Sequence, residues 1–299
     1  MRSAIVLCAG LGTRLHPLTA ERPKPLVPVG DRPMLGHIVQ QLAAGGVERI
    51  VVNTHHLAAA FAPLLDAVGA PIHVVHEPEI RGTAGAVAGA RSRFEGGPVM
   101  LHNGDILAAV PVRRMFEAVT AGSVLLAVSA AREAGTVGLD AARRLVRLRG
   151  QRFGREAHAA DYVGIACLGP DVVRRLPERG CFAEWLLGEL HEGRHPETID
   201  LDPAWIDVGT IGGYFAANER FLRTGANREE RSWVGEDAKV NPRVALEGSV
   251  VGAGAHVTGE GKLERCVIWP GATVRAPLAA TVVGRGFQAS LEGLSLASQ

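Results

Sequence analysis

The sequence predicts an α/β domain built on a mainly parallel sheet, followed by a short β-helix. Three observations lead to this prediction. Short apolar runs alternate with helical patterns, a glycine turn follows the first of these runs, and hydrophobic residues recur at steps of six toward the C-terminus. Strands that alternate with helices form a Rossmann-like parallel sheet with helices on both faces. A six-residue period is typical of β-helix coils.

The composition narrows the class of protein. The chain has 299 residues and is 47% hydrophobic, which suits one large domain and a small one. A net charge of +1 argues against nucleic acid as the main partner. The four cysteines include no C-x-x-C, so neither a zinc site nor a disulfide framework is expected. With no signal-peptide pattern and no apolar run long enough for a bilayer, a cytoplasmic protein without a membrane partner is expected.

A glycine-rich turn ends the first predicted strand. Residues 4–8 are an apolar run typical of a buried parallel strand, and residues 9–14 read Ala-Gly-Leu-Gly-Thr-Arg. Gly10 and Gly12 let the backbone approach a ligand, and adjacent N–H groups there can bind phosphate oxygens. The pattern is neither a dinucleotide fingerprint nor a Walker loop, so by itself it favours an ordinary strand-to-helix turn.

Two cations accompany this turn. Arg14 provides a planar fork of donors suited to phosphate, and Thr13 adds a hydroxyl donor. Lys24 lies between Pro23 and Pro25, which hold its segment stiff. Since arginine is the usual cation of this chain, a lysine in this segment stands out. Together these groups predict a phosphate-binding site.

The elements that follow alternate between helix and strand. Apolar spacing predicts strands over 47–52, 71–75, 99–101 and 123–129. It predicts helices from residue 34 to Gly45-Gly46 and over 57–68, 84–90, 182–191 and 213–223. Pro63 can interrupt the helix over 57–68. Ligands of such sheets bind at the carboxyl ends of the strands, where the glycine turn lies.

Other polar residues also stand beside glycines. Thr83 follows Gly82 and is expected to cap the free N–H groups of the helix of small residues. Asp105 follows the predicted strand over 99–101, and a carboxylate there can hold Mg²⁺ over a triphosphate. Asp207 stands at a strand end beside a glycine turn. Taken singly, these aspartates favour ordinary turns, because Asn, Gly and Asp are turn residues. His102 is expected to be a packed neighbour.

The pattern changes after residue 233. Small residues lie two places before some of the repeated hydrophobic positions, and no helical period is present. The sets are Val234, Val240 and Leu246; Val251, Val257 and Leu263; Ile268 and Val274; with Ala238, Ala255 and Ala272 as the small residues. About three β-helix coils are predicted, each needing a neighbour to bury its face.

The longest motif resembles the signature of the sugar-nucleotide pyrophosphorylases (NDP-sugar nucleotidyltransferases). It reads L-x-x-G-x-G-T-R-L-x-P-L-T, then P-K-P-L-x-P-V, with Cys8 where the family usually has alanine. Two further elements are similar to that family's, E-x-x-G-T-A-G-A from residue 79 and W-x-D-x-G-T from residue 205. The resemblance implies an enzyme that joins an NTP and a sugar 1-phosphate into an NDP-sugar and pyrophosphate. It also implies a left-handed β-helix, often a subunit contact, and so a homo-oligomer.

The resemblance assigns the phosphate and metal contacts. Arg14 would steady the leaving pyrophosphate and Lys24 the α-phosphate. Asp105 and Asp207 would bind Mg²⁺, and their shared context favours this role over two unrelated turns. The nucleotide would lie against the turn residues Ala9, Gly10, Gly12 and Thr13.

The base and the sugar are assigned in the same way. Gly82 and Thr83 would contact the base and the ribose. Glu77 and Glu79 precede them, and a carboxylate can accept from the two adjacent N–H donors that guanine presents, which favours GTP and Glu77 as its contact. Gly138 and Gly164 resemble sugar-facing glycines.

One family feature is missing. Many relatives carry E-K-P, whose lysine grips the sugar phosphate, whereas residues 147–156 of this chain contain no lysine. Arg152 or Arg155 can take that place, but a flexible basic loop is an equal alternative.

Several alternatives stay open. The nucleotide can be UTP or dTTP, the sugar can be mannose, a heptose, glucose or an N-acetylmuramic acid derivative, and the chain can be a non-catalytic regulatory subunit or a sensor. The predicted domains are a nucleotidyltransferase domain over 1–225 and a β-helix over 232–285, with a tail over 286–299.

Overall fold

The computed structural model describes residues 1–62, 72–224 and 231–291, which pack as two compact units. The first unit comprises Met1–Gly10 and Ile38–Trp205, and the second comprises Leu11–His37 and Ile206–Gln299. The chain therefore passes from the first unit to the second inside the glycine turn.

The described strands are numbered in chain order. They are β1 Ser3–Leu7, β2 Pro28–Val29, β3 Arg32–Pro33, β4 Arg49–Thr54, β5 Ile72–His76, β6 Val99–Asn103, β7 Ile106–Leu107, β8 Val124–Ala130, β9 Val137–Leu139, β10 Leu145–Leu148, β11 Gln151–Arg152, β12 His158–Leu168, β13 Glu197–Asp200, β14 Ile206–Asp207, β15 Trp233–Val234, β16 Lys239–Val240, β17 Val244–Glu247, β18 Val250–Val251, β19 His256–Glu264, β20 Val267–Ile268, β21 Thr273–Ala279, β22 Thr281–Val283 and β23 Gln288–Ser290.

The described α-helices are numbered in the same way. They are α1 Leu18–Glu21, α2 Met34–Ala44, α3 Gly82–Gly89, α4 Val112–Ala118, α5 Pro170–Arg175, α6 Phe182–His191 and α7 Ile211–Arg223. Among these described helices, none has the length and apolar content needed to cross a bilayer.

In the first unit ten strands form one mixed sheet. Its order is β11-β10-β9-β12-β6-β1-β4-β5, with β8 beside β12 and β13 beside β8. Strand β1 is parallel to β4 and β6, and β5 is parallel to β4, which confirms the predicted alternation. Strand β12 runs antiparallel to β6, β8 and β9. Four of the five residues of β1 are buried, as both faces of a central parallel strand require.

In the second unit the strands β15 to β22 stack in parallel, and the last strand, β23, runs antiparallel to β22. Val250 pairs with Trp233 and Val267, and His256 pairs with Lys239 and Thr273, so successive coils are offset by 17 residues. The repeated residues of the middle coil are buried, among them Val251, Val257 and Leu263. Val234 in the first coil is 45% exposed, because that coil has a neighbour on one side only. This stacking agrees with the predicted β-helix, and its hand stays a prediction.

Two local expectations need correction. The first part of the predicted helix over 57–68 is a 3₁₀ turn, Ala58–Phe61, whereas Ala62 is α-helical and residues 63–68 lie outside the described part of the chain. Thr83 does not cap α3, because that helix begins at Gly82 and its N-cap residue is Arg81. The small residues around this boundary do not mark where a helix begins, so the sequence pattern did not decide the first residue of α3.

Candidate active site

The carboxyl ends of β1, β4, β5 and β6 meet at one edge of the first unit's sheet. Because the four strands are parallel neighbours, the residues that follow each of them lie side by side. This edge carries Ala9 and Gly10 after β1, Glu77 after β5 and Asp105 after β6. The structure thus brings four predicted site residues to one place.

A tight turn carries Asp105 close to the end of β1. The amide of Gly104 donates to the carbonyl oxygen of Leu7 at 3.0 Å. Asp105 is half-buried, and burial, helped by this carboxylate, raises the pKa of the Cys8 thiol. Cys8 is therefore a protonated, packed residue at neutral pH.

His102 is a packed residue of β6. Its side chain is fully buried, and burial lowers its pKa to about 4, so that the ring is neutral at pH 7. Nδ1 lies 2.7 Å from the carbonyl oxygen of Asn103, and Nε2 has no hydrogen-bond partner among the described residues. The ring belongs to the core beneath the site edge.

Glu77 is tied to the glycine turn through Asn53, a residue that the sequence did not single out. Asn53 accepts from the Cys8 amide at 2.8 Å and donates to Glu77 Oε1 at 2.9 Å. Glu77 Oε2 accepts from the Arg81 amide at 3.1 Å, and the residue is only 2% exposed. The signal for Asn53 was a polar residue at the end of an apolar strand. Guanine contact by Glu77 stays a prediction.

The start of α3 is held by residues 180–182. The amide of Ala84 donates to the carbonyl oxygen of Gly180 at 3.0 Å. The Thr83 hydroxyl accepts from the Phe182 amide at 2.6 Å. Gly82 and Thr83 therefore belong to a fixed loop-to-helix junction of the first unit, and their contact with base and ribose stays a prediction.

The two predicted sugar-facing glycines lie in different surroundings. Gly164 in β12 has a positive φ of 76°, and a Cβ there would lie 2.3 Å from Asn103 Nδ2, so it borders the end of β6. Gly138 in β9 instead borders the side chains of Arg147 and Glu156. Only Gly164 is thus placed beside the edge that carries Asp105.

The segment that lacks the family lysine is an ordered hairpin. Strands β10 and β11 pair, with Arg147 opposite Arg152. Arg147 donates Nε to Glu156 Oε2 at 2.8 Å and Nη2 to Glu156 Oε1 at 3.1 Å, a bidentate ion pair. Arg152 and Arg155 are exposed, and Arg152 lines a cavity of about 570 Å³ in the first unit together with Arg147 and Glu156.

The second unit holds the rest of the predicted site. Gly12 has a φ of 66°, and a Cβ there would lie 2.9 Å from Thr19 Cγ2 and 3.1 Å from Lys24 Cβ. The Thr19 hydroxyl donates to the carbonyl oxygen of Gly12 at 3.1 Å, and Thr13 opens the 3₁₀ turn Thr13–Leu15. Glycine at position 12 therefore lets the segment that carries Lys24, called here the lysine segment, pack against the turn.

Arg14 and Asp207 meet at a third glycine. A Cβ on Gly209 would lie 2.6 Å from Asp207 Oδ1 and 2.9 Å from Arg14 Nη2. Asp207 Oδ1 accepts from the Gly209 amide at 2.7 Å, which orients its carboxylate. The second unit therefore gathers a lysine, an arginine and an aspartate beside a glycine turn, the groups that a polyphosphate with a metal ion requires.

Each unit contributes one predicted metal ligand, a carboxylate of the oxygen-donor type that Mg²⁺ prefers. In the described part of the chain, no three His, Cys, Asp or Glu side chains cluster as a metal site. Mg²⁺ is commonly held by one or two carboxylates, with phosphate oxygens and waters as the other ligands. Asp105 and Asp207 match that donor type.

Comparison with known proteins shows which proteins the chain resembles. Residues 3–147 match the family model described as nucleotidyl transferase. A mannose-1-phosphate guanylyltransferase of Mycobacterium tuberculosis is 28% identical over 91% of this chain and 81% of its own length. A probable mannose-1-phosphate guanylyltransferase 2 of Arabidopsis thaliana is 27% identical over 94% and 85%. These matches support a sugar-nucleotide pyrophosphorylase family, to whose members the chain is similar over most of its length.

Solved structures support the fold. The crystal structure of HddC from Yersinia pseudotuberculosis has a TM-score of 0.62 and 21% identity, covering 74% of this chain and 100% of its own. A second HddC structure is a complex with GMP-PN. The family match and these relatives indicate a sugar-1-phosphate nucleotidyltransferase. The matched residues 3–147 include Arg14, Lys24 and Asp105 and end before Asp207.

Proposed function

We propose that this protein is a sugar-nucleotide pyrophosphorylase that transfers a guanylyl group from GTP to mannose 1-phosphate, giving GDP-mannose and pyrophosphate. The names of the two relatives support the substrates, since both alignments cover more than nine-tenths of this chain. The observation that carries the chemistry is the gathering of Arg14 and Asp207 at Gly209, with Lys24 packed against Gly12.

The reaction needs positioning and charge neutralisation more than covalent work by the protein. A phosphate oxygen of mannose 1-phosphate attacks the α-phosphorus of GTP, and the bond to the β-phosphate oxygen breaks as pyrophosphate leaves. Lys24 stabilises the charge that develops on the α-phosphate, and Arg14 binds the departing pyrophosphate. The backbone of residues 9–13 holds the nucleotide.

The metal belongs to the same proposal. Asp105 and Asp207 would hold Mg²⁺, which when bound neutralises phosphate charge. The orientation of Asp207 by the Gly209 amide supports its part in this role.

Guanine selection is assigned to Glu77, Gly82 and Thr83. A carboxylate has about four acceptor positions, so Glu77 can accept from guanine while it holds Asn53 and the Arg81 amide. Glu79 is paired with Arg179 at 2.5 Å, which makes Glu77 the better candidate. For the sugar we propose Gly138 and Gly164, and for its phosphate Arg152 or Arg155.

The organisation of the chain completes the proposal. It comprises a nucleotidyltransferase domain over residues 1–225, a left-handed β-helix over 232–285 and a tail over 286–299. The protein would act in the cytoplasm and assemble as a homo-oligomer through the β-helix.

The test is a matrix of pyrophosphate-release assays with Mg²⁺. GTP, UTP, dTTP and ATP are each paired with mannose 1-phosphate, glucose 1-phosphate, a heptose 1-phosphate and an N-acetylmuramic acid 1-phosphate. The highest kcat/KM is expected for GTP with mannose 1-phosphate. Turnover with another pair would correct the substrates, and product binding without any turnover would make the chain a sensor.

A further inference from the structure

The β-helix of the second unit sends one aromatic side chain toward the lysine segment. Trp269 follows β20 and is only 1% exposed. Its Nε1 donates to the hydroxyl of Tyr214 in α7 at 2.9 Å, and Tyr214 is fully buried. A buried tryptophan N–H needs a partner, and here that partner lies outside the β-helix.

The same tyrosine hydroxyl also binds the backbone of the lysine segment. The Tyr214 hydroxyl donates to the carbonyl oxygen of Pro28 at 2.5 Å. Pro28 opens β2, which follows the 3₁₀ turn Lys24–Leu26. The Val27 amide donates to the Lys24 carbonyl oxygen at 3.2 Å. Because this hydrogen bond and the fixed φ angles of the prolines restrict the backbone, few freely rotating bonds separate Pro28 from Lys24.

One face of α7 grips the same segment. Asn218 accepts from the Gly30 amide at 3.0 Å. A Cβ on Gly30 would lie 2.3 Å from the ring of Phe221, so that ring packs directly on the turn after β2. Tyr214, Asn218 and Phe221 are spaced four and three residues apart, which places them on one side of the helix.

The indole also contacts the lysine segment at a residue that precedes Lys24. The Arg22 guanidinium lies 5.6 Å from the centre of the Trp269 ring, a cation–π distance. Phe287 packs edge-on against the same ring at 4.9 Å, which fixes its orientation. Trp269 thus contacts the segment on both sides of Lys24, at Arg22 directly and at Pro28 through Tyr214.

We infer that Trp269 is a positioning residue for nucleotidyl transfer, acting through Tyr214 on the segment that presents Lys24. The inference rests on the proposed role of Lys24 at the α-phosphate. A small displacement of a charge-stabilising group lowers the rate of transfer, because that group acts on charge that develops in the transition state. The β-helix is then part of the catalytic apparatus, besides any role in assembly.

Three variants test the series of hydrogen bonds from Trp269 through Tyr214 to Pro28, called here the relay. Trp269→Phe keeps an aromatic ring and removes the N–H donor, Tyr214→Phe removes the hydroxyl, and the third combines both. Each single variant should lower kcat about fivefold, the equivalent of one hydrogen bond, with KM for the sugar phosphate unchanged. The double variant should be no slower than Tyr214→Phe, because the second change has no bond left to remove.

A matched control separates positioning from stability. Val267→Ala, at a buried position of β20, should lower the melting temperature and leave kcat at 25 °C unchanged. Additive effects in the double variant, or a kcat loss in Val267→Ala equal to that of Trp269→Phe, would overturn the inference.

A second readout does not depend on substrate identity. Hydrogen exchange at the Gly30 amide should speed up in Trp269→Phe and Tyr214→Phe, and stay at the wild-type rate in Val267→Ala, when measured without any substrate. Faster exchange in a protein that turns over no NTP would leave the relay standing and remove the proposed function. Unchanged exchange would remove the relay.

Discussion

The guanidinium of Arg14 and the carboxylate of Asp207 lie against the same face of Gly209. A methyl group on that glycine would come within 2.6 Å of Asp207 Oδ1 and 2.9 Å of Arg14 Nη2. Two residues from opposite ends of the nucleotidyltransferase sequence are therefore organised by one position without a side chain. This gives the second unit a cation and an acid at fixed separation.

Gly209→Ala should uncouple this pair. The added methyl group must displace one or both side chains, and a misplacement of this size costs about 100-fold in kcat/KM. Gly212→Ala is the matched control, because its methyl group would meet nothing closer than Thr210 Oγ1 at 4.0 Å. Pyrophosphate release measures both variants. Equal activities of the two would show that the Gly209 contact is irrelevant.

Gly12→Ala and Gly10→Ala should differ in stability although they share one turn. Gly12 has a φ of 66° and faces Thr19 and Lys24, whereas a methyl group on Gly10 meets nothing within 4 Å. The left-handed conformation alone should cost Gly12→Ala about 1–2 kcal/mol of unfolding free energy. Urea denaturation should show this loss for Gly12→Ala and none for Gly10→Ala. A stable Gly12→Ala would contradict the packing at this turn.

Stability should fall in mild acid because of His102. Burial holds its pKa at about 4, below the ordinary value of 6.5. Between these values the unfolded chain binds a proton that the folded chain does not, so this contribution is complete above pH 6.5, is lost as pH falls, and levels off below about pH 4. The loss amounts to roughly 3 kcal/mol of unfolding free energy.

Urea denaturation at pH 7 and pH 4.5 measures this effect. In His102→Asn, which has no group titrating in that window at this position, the difference between the two pH values should shrink by about 2 kcal/mol. An unchanged difference would mean that His102 is not the group responsible.

Metal dependence should follow the two aspartates. Chelation by EDTA should abolish pyrophosphate release, and added Mg²⁺ should restore it. Asp105→Asn and Asp207→Asn each replace a charged ligand by a neutral one and should require at least about tenfold more Mg²⁺ for half-maximal rate. Asp202→Asn, at an exposed aspartate of the first unit, serves as the control. Wild-type Mg²⁺ dependence in both site variants would remove these ligands from the proposal.

Local patterns predicted much of the fold. The helix from residue 34 is found as α2, the helix over 182–191 as α6, and the step of six as the stacked strands β15 to β22. Strand β23, Gln288–Ser290, lies in the segment that was predicted to be a loose tail. The 3₁₀ turn at Ala58–Phe61 was missed, because alanine has the highest α-helix propensity and a run of alanines therefore predicts an α-helix.

The contacts that organise the site were beyond local patterns. Asn53 joins Cys8 to Glu77, and Tyr214 joins Trp269 to Pro28, through hydrogen bonds between residues far apart in the chain. Residue spacing predicts which face of a helix or strand is buried, but not which residues that face contacts. Motifs therefore named the proposed catalytic groups, while the residues that contact them became visible only in the structure.

Lys24 gives the most direct test of the account, since it is the group assigned to the α-phosphate. The chain offers a matched control in Lys262, an exposed β-helix lysine paired with Glu247. With GTP, mannose 1-phosphate and Mg²⁺, Lys24→Gln should lower kcat about 100-fold, whereas Lys262→Gln should stay within about twofold of wild type. A Lys24→Gln enzyme as fast as Lys262→Gln would contradict the proposed catalytic site.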